Sequence, residues 1–319
     1  MKVLIIGGSG FIGKAITEYL VKANYDVTLF NRGNTINSIA KQITGDKKDL
    51  SAYRETFKQL NPDAVIHTIA YTAQDAVRLI ATFSDITKRV IVLSSGDVYA
   101  AYDIFRHGGV TVNQPVNENA VLRTNLFPYR EEFSRMPNEE LRDLYFNYDK
   151  IVVENTIRKS NLNYTIIRLA AVYGHNDPQN KLQRHINEVS NVEYLYMSEE
   201  QLNWKWTRIF VDNIPPAIDL VLKHEAAINQ IYNLGEAEVL SLMHIYALIN
   251  SIVPTPVMNK ISSGKTTAGD LPDFNYKQHL VIDSSKIRNE LGYKELVDPE
   301  KAMRKLLKMA VEELIRLSG

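Results

Sequence analysis

The stretch Lys2-Val3-Leu4-Ile5-Ile6-Gly7-Gly8-Ser9-Gly10-Phe11-Ile12-Gly13 decides the fold. A short apolar run precedes a turn with glycines at every third position, Gly7, Gly10 and Gly13. An amphipathic segment follows, Phe11 to Ala23, with Ile12, Ile16 and Leu20 on one face. The reading is strand, tight turn, helix. Glycines let such a turn close tightly and let a pyrophosphate reach backbone N–H groups at a helix N-terminus, where the helix dipole favours negative charge. Gly7, Gly10, Phe11, Ile12 and Gly13 are therefore expected to hold a dinucleotide, with Gly13 letting helix and strand lie close.

Outward from this turn, apolar runs alternate with amphipathic segments. Asp26–Phe30, Asp63–Ile69, Arg89–Leu93 and Tyr164–Ala171 read as strands. Ala52–Leu60, Asp75–Ile86 and Leu144–Lys159 read as helices. Continuous apolar strands separated by helices predict an α/β fold, a Rossmann-type doubly wound parallel sheet. Beyond Gly174 the pattern loosens. Asn176–Arg184 reads as loop, Val192–Met197 and Ile231–Leu234 as strands, Asn213–Lys223 and Pro299–Leu317 as helices, and the Pro/Gly/Ser/Thr-rich Pro254–Asp273 as a mobile surface loop. The expected organisation is a dinucleotide-binding domain over 1–173 and a smaller C-terminal substrate-binding cap over most of 174–319. About 209–250 would return to the first domain.

The 319 residues are 45% hydrophobic, enough for a sizeable core. Lys plus Arg and Asp plus Glu both number 37, which disfavours a nucleic-acid partner. There are no cysteines, which excludes disulfides, thiolate metal sites and a cysteine nucleophile. His224-Glu225 opens like a zinc motif, but Ile228 takes the last ligand position, so no metal is expected. No apolar window is long enough for a membrane span, and the first strand is too short for a signal peptide. A cytoplasmic location is expected. At the end of the second strand stands Asn31-Arg32. A carboxylate there would bind a ribose 2′-hydroxyl, whereas a guanidinium accepts a 2′-phosphate. The expected coenzyme is NADP(H), with NAD(H) as the alternative.

Further motifs follow in order: Gly45-Asp46, His67-Thr68-Ile69-Ala70, Ser94-Ser95-Gly96-Asp97-Val98-Tyr99, Arg168 to Gly174, and Ile282 to Tyr293. With the glycine loop, they make the chain resemble the extended short-chain dehydrogenase/reductase superfamily, in particular its NAD-dependent epimerase/dehydratase branch. The resemblance implies that Asp46 contacts adenine, that Ala70 borders the coenzyme, and that Ser95 orients the reacting oxygen. It also implies a Tyr-x-x-x-Lys pair, whose lysine lowers the phenol's pKa and holds the nicotinamide ribose, and a dimer through the lysine helix.

Lys150 matches that lysine, but Phe146 stands four residues earlier, where the phenol belongs. On one continuous helix Tyr148 lies about 200° and Tyr145 about 100° from Phe146, so neither replaces it without a change of helix register. Three alternatives stand: Tyr148 acting from an altered helix start, another tyrosine (Tyr71, Tyr99 or Tyr129) entering the site, or coenzyme binding without the family reaction. Asp97 falls where nucleotide-sugar dehydratases carry an acid, but its neighbour Gly96 leaves the elimination pair incomplete. Arg208 is displaced by two residues from the arginine that clamps a substrate diphosphate, on the same strand face. Trp204 and Trp206 could stack on a base or sugar, or fill the cap core. Arg123, Arg130 and Arg135 could belong to an anion-binding lid or to a charged surface loop.

The sequence thus predicts an NAD(P)-binding epimerase/dehydratase-like or reductase-like enzyme acting on a hydroxyl or carbonyl group of a small substrate, such as a sugar nucleotide. Ser95, Tyr148 and Lys150 are its candidate catalytic residues, and Asp97 and Arg208 its candidate substrate contacts. The alternative is a non-catalytic dinucleotide-binding sensor or regulator.

Overall fold

The computed structural model describes residues 1–34, 39–190, 195–252, 261–263 and 274–318. The strands are β1 (Lys2–Ile6), β2 (Asp26–Asn31), β3 (Lys41–Thr44), β4 (Ala64–His67), β5 (Val90–Ser95), β6 (Tyr164–Leu169), β7 (Ala171–Tyr173), β8 (Leu195–Met197), β9 (Arg208–Phe210), β10 (Gln230–Leu234) and β11 (Ile261–Ser263). The helices are α1 (Phe11–Lys22), α2 (Arg54–Leu60), α3 (Ala73–Phe83), α4 (Ala100–His107), α5 (Glu139–Asn147), α6 (Lys150–Arg158), α7 (Lys181–Ser190), α8 (Glu199–Asn203), α9 (Ile214–Lys223), α10 (Leu242–Asn250), α11 (Ser285–Leu291) and α12 (Pro299–Ser318).

Seven parallel strands form the main sheet in the order β10-β6-β5-β4-β1-β2-β3. Strand side chains alternate between faces, and both faces of β1 are buried: Val3 and Ile5 join the core shared with α1, while Leu4 and Ile6 join the core containing Phe30, Phe57 and Phe83. Burial on both sides explains why these strands are continuous apolar runs. Strand order reverses between β1 and β4, so a crevice opens beyond their C-terminal ends, where α/β sheets bind ligands. Around Arg208, β9 pairs with β7 outside this sheet, and β8 pairs with β11. β10 returns to the edge of the main sheet and α9 packs on α1, whereas α10 packs against α8 and α12.

The glycine turn is sterically determined. Gly7 has φ +85°, and a Cβ on it would lie 2.5 Å from Thr68 Oγ1. A Cβ on Gly13 would lie 2.1 Å from the Gly7 carbonyl oxygen, so α1 reaches its seat on the sheet only because Gly13 has no side chain.

Two expected elements differ. Asn176–Arg184 is not all loop: the Asp177 carboxylate accepts the backbone N–H groups of Gln179 and Lys181, and α7 starts at Lys181. Leu144–Lys159 is not one helix but two, α5 and α6, separated at Tyr148 and Asp149. Of the expected Val192–Met197 strand, 195–197 form β8 and 191–194 lie outside the described residues. Of the Pro254–Asp273 segment, only 261–263 are described, and they form β11. Among the described residues no helix is long and apolar enough to cross a membrane.

The close approach at Gly13 makes its substitution costly. Gly13→Ala should lower stability by about 1–3 kcal/mol in urea melts, the usual cost of overpacking a core position. An unchanged unfolding midpoint would show that the turn can relax.

Candidate active site

The helix break makes the site. Asp149, with extended backbone (φ −160°, ψ 109°), caps α6 by accepting the N–H groups of Ile151 and Val152. Its carboxylate also accepts the Phe127 N–H and both terminal nitrogens of Arg123, at 2.9 and 3.2 Å. Both charged side chains are fully buried. Arg123 Nε donates to the Asp97 carbonyl, and the Asp149 N–H donates to the Tyr71 carbonyl. A carboxylate so completely engaged cannot sit in a helix interior, so α5 stops at Asn147. Tyr148 then takes an extended conformation that turns its ring into the crevice. The structure thus contains the local change of helix register that would bring Tyr148 into the site. Phe146 remains outside: it is 41% exposed, packs edge-on against Phe133 and carries the Arg130 guanidinium on its face.

One cavity of about 920 Å³ is bordered by the glycine loop and by residues of the C-terminal half. Gly7, Gly10, Phe11, Ile12 and Gly13 line it together with Ser95, Asp97 and Tyr148 and with Lys181, Trp206 and Thr207. Ser95 accepts the Asp97 N–H and so starts the short turn after β5. Asp97 is buried, and its Oδ2 accepts the Tyr148 hydroxyl at 2.8 Å and the Tyr129 hydroxyl at 3.3 Å. Oδ1 is buried without a partner. Burial pushes the Asp97 carboxyl up, opposed by Arg123 and the Tyr148 hydrogen bond. Tyr148 and Tyr129 are both pushed well above the usual phenol range, first by burial and then by the Asp97 charge.

Lys150 is buried at the start of α6, not solvated. Its ammonium donates to the carbonyls of Ala70 and Leu93, both at 2.8 Å, and lies 4.7 Å from the centre of the Tyr71 ring. Burial lowers its pKa to about 8. It is not among the side chains lining the cavity, which Tyr71 borders above it. Beside it, Lys47 bonds the buried Asp75, and His67 is held neutral by burial, its pKa pushed down to about 3.

The remaining candidates divide. Asn31 accepts the Gly33 N–H and a Gln42 amide proton, Arg32 projects at the surface and pairs with Glu140 of α5, and Asp46 caps a 3-10 turn through the Lys48 N–H. Arg208 is buried, donates to the Trp206 carbonyl and is not a lining residue of the cavity; burial lowers its pKa to about 10. Trp204 belongs to the core, stacked on Phe105 with its indole N–H on the Gln278 carbonyl, whereas Trp206 borders the cavity. Of the arginines before α5, Arg123 is committed to Asp149, and Arg130 lies between Phe127 and Phe146. Sequence reasoning missed Asp149 as the hinge. Its signal was an Asp two residues before the apolar Ile151–Val153 run, a helix N-cap pattern.

Two stability consequences follow. Asp149→Ala leaves Arg123 buried and uncompensated and should cost about 3–5 kcal/mol in denaturant melts, as for other broken buried pairs. A loss below about 1 kcal/mol would mean that the pair is not formed. Behind Arg208, Glu236 accepts the Tyr173 hydroxyl and the Phe210 N–H, yet burial pushes its carboxyl up to about 7. Its folded pKa exceeds the unfolded one, so the stability it contributes is complete below the unfolded value and is lost as pH rises through about 7. Glu236→Gln should therefore raise stability by about 3 kcal/mol at pH 8 and leave it nearly unchanged at pH 4. A gain independent of pH would contradict the assignment.

Comparison with known proteins agrees with this geometry. Residues 3–121 match the model of the NAD dependent epimerase/dehydratase family. The chain is 26% identical over 325 residues to a UDP-glucose 4-epimerase of Lactobacillus helveticus, covering 92% of each chain. Among solved structures it superposes on the UDP-glucose 4-epimerase of Thermotoga maritima, determined with UDP-glucose, with a TM-score of 0.66, 19% identity and complete coverage of both chains. A short-chain dehydrogenase/reductase superfamily protein from Agrobacterium tumefaciens with bound NAD gives a TM-score of 0.70 at 16% identity, covering 100% of this chain and 99% of that one. The matched segment spans the glycine loop through the Ser95–Tyr99 stretch, and the likeness to the solved structures extends the same fold over the whole chain.

Proposed function

We propose that the protein is a pyridine-nucleotide-dependent enzyme that oxidises or reduces a hydroxyl or carbonyl group of a small, sugar-like substrate. The observation carrying this reading is that the phosphate-type glycine loop, the Ser95 hydroxyl and the Tyr148 phenol border one cavity. The residues present fit the coenzyme. No side chain caps the N-terminus of α1, and a Cβ on Gly10 would find only the Gly7 carbonyl oxygen within 4 Å, at 3.6 Å, so the cradle is open to phosphate. Asp46 follows β3 and Ala70 follows β4, and the family resemblance assigns them to the adenine and to the coenzyme border. Arg32, exposed beside Asn31, suits a ribose 2′-phosphate once it leaves Glu140, which favours NADP(H) over NAD(H).

When bound, the coenzyme supplies the nicotinamide carbon that accepts or returns a hydride. Ser95 orients the substrate oxygen, and Tyr148 receives or donates the proton at that oxygen. Lys150 has three ammonium protons, two of them on carbonyls, and lies behind the Tyr71 ring rather than on the cavity wall, so its place here is to hold the ends of β4 and β5. On the cap side, Trp206 offers a flat face and Lys181, bonded to Asp177 and the Val172 carbonyl, offers positive charge. A sugar nucleotide, the substrate type named for the Lactobacillus relative, suits these groups and the cavity volume. A homodimer and a cytoplasmic location complete the reading.

The test combines calorimetric binding of NADPH and NADH with coenzyme turnover on a panel of UDP- and dTDP-sugars and simple alcohols. NADPH should bind more tightly. Arg32→Ala should weaken NADPH about tenfold, one charge-assisted contact, and NADH less than twofold. Tyr148→Phe should lower turnover about 10²–10⁴-fold with coenzyme binding intact. Tight coenzyme binding without turnover on any substrate would instead favour a sensor or regulator.

A further inference from the structure

The Tyr148 phenol has an unexpected partner. Its proton points to a carboxylate, Asp97 Oδ2 at 2.8 Å, whereas the Lys150 ammonium is turned to the Ala70 and Leu93 carbonyls. Tyr129 reaches the same oxygen and shares a 2.9 Å hydrogen bond with Tyr102. Asp97 Oδ1 is buried and has no donor, so the carboxylate is incompletely stabilised and keeps its affinity for a proton.

We propose that Asp97 is the positioning residue and proton store of Tyr148, holding the phenol as a donor and taking its proton as the phenol takes one from the substrate hydroxyl. This rests on the role proposed for Tyr148. In the oxidative direction the substrate O–H bond breaks and a Tyr148 O–H bond forms. The original Tyr148 O–H bond breaks and an Asp97 O–H bond forms. The carbinol C–H electron pair would leave as hydride, for which an oxidised pyridine nucleotide, when bound, would be the acceptor. Reduction runs the same transfers backwards, starting from protonated Asp97.

The surrounding charges support a relay over a free phenolate. Asp97 faces Arg123, Lys150, Tyr148, Tyr129 and Tyr102; Tyr148 faces Asp97, Tyr102 and Tyr71; the Arg106–Glu132 pair flanks Tyr129. Burial and the Asp97 charge both oppose phenolate formation, so Tyr148 cannot act by losing its proton first. Burial also makes Asp97 a stronger base than an exposed carboxylate. Oxidation therefore requires ionised Asp97 and rises with pH through its pKa. Reduction requires the acid form and falls over the same interval.

The decisive measurement is a pH titration of ring-13C-labelled tyrosine in the full chain by NMR, with the Tyr148 signal assigned by its loss in Tyr148→Phe. In the wild type, Tyr148 should remain protonated beyond about pH 10; in Asp97→Asn it should ionise at least about one pH unit lower, since the carboxylate charge is gone. A wild-type Tyr148 that ionises below about pH 9, or one unmoved by Asp97→Asn, overturns the proposal whether or not a substrate is known. Thermal stabilisation of Asp97→Asn by NADPH confirms that the variant is folded. On any substrate of the panel, Asp97→Asn should lower kcat about 100-fold with KM within about threefold, abolish the low-pH limb, and be partly rescued by Asp97→Glu. Asp97→Asn/Tyr148→Phe should be no slower than Tyr148→Phe, and multiplicative losses would overturn the relay. A wild type inactive on the whole panel with the expected titration would sink the enzymatic reading alone.

Discussion

The fully buried pair of Asp149 and Arg123 is the constraint from which the arrangement of the site follows. Such a pair gains little net stability, because taking two charges out of water offsets most of their attraction. Its value lies in what it specifies. Asp149 collects N–H groups from Phe127, Ile151 and Val152 together with the guanidinium, and gives its own N–H to Tyr71. Arg123 adds the carbonyls of Asp97 and Asn125. Four separate stretches, the ends of β4 and β5, the Arg123–Phe127 segment and the start of α6, thereby meet around one buried ion pair. A shift of any of them would leave a buried charge short of partners.

That constraint explains which features could be read in the chain and which could not. The glycine turn was legible because its requirements are local: a Cβ on Gly13 collides with a carbonyl in the same loop. The sheet strands were legible because burial on both faces forces uninterrupted apolar runs. β3 was not, since Lys41–Thr44 is a short, largely polar edge strand without a buried residue. The register around Lys150 was obscured for a different reason. The helical periodicity of Leu144–Lys159 is genuine on either side of the break, and the interruption is imposed by Arg123 and Phe127, more than twenty residues away. Arg208 shows the same limit: strand alternation puts it on the expected face, but its guanidinium bonds the Trp206 carbonyl within the protein.

A second theme is the withdrawal of positive charge from the reacting centre. Lys47 is held by Asp75, Lys150 by two carbonyls, Arg123 by Asp149, and Arg106 by Glu132. Each of these cations is satisfied by its own partners, of which Glu132 lines the cavity. The buried acid at the centre, Asp97, receives only phenol hydroxyls on its side chain, both on one oxygen. Phenols are weak donors beside guanidinium or ammonium groups, so the carboxylate is solvated enough to exist and too poorly to be inert.

This distribution changes how a tyrosine can act. A lysine beside a phenol stabilises the phenolate and so prepares a base before substrate arrives. A carboxylate beside a phenol does the opposite, since two negative charges 2.8 Å apart in a buried site are prohibitive. Only a phenol that passes on one proton as it accepts another keeps the pair from ever carrying two negative charges: its charge is minus one before the transfer and zero after it. The tyrosine rings Tyr71, Tyr102, Tyr129 and Tyr148 line the cavity together with Asp97. The helix break, the displaced lysine and the lone carboxylate therefore form one physical arrangement: the break brings the phenol to the acid, and the acid gives its proton somewhere to go.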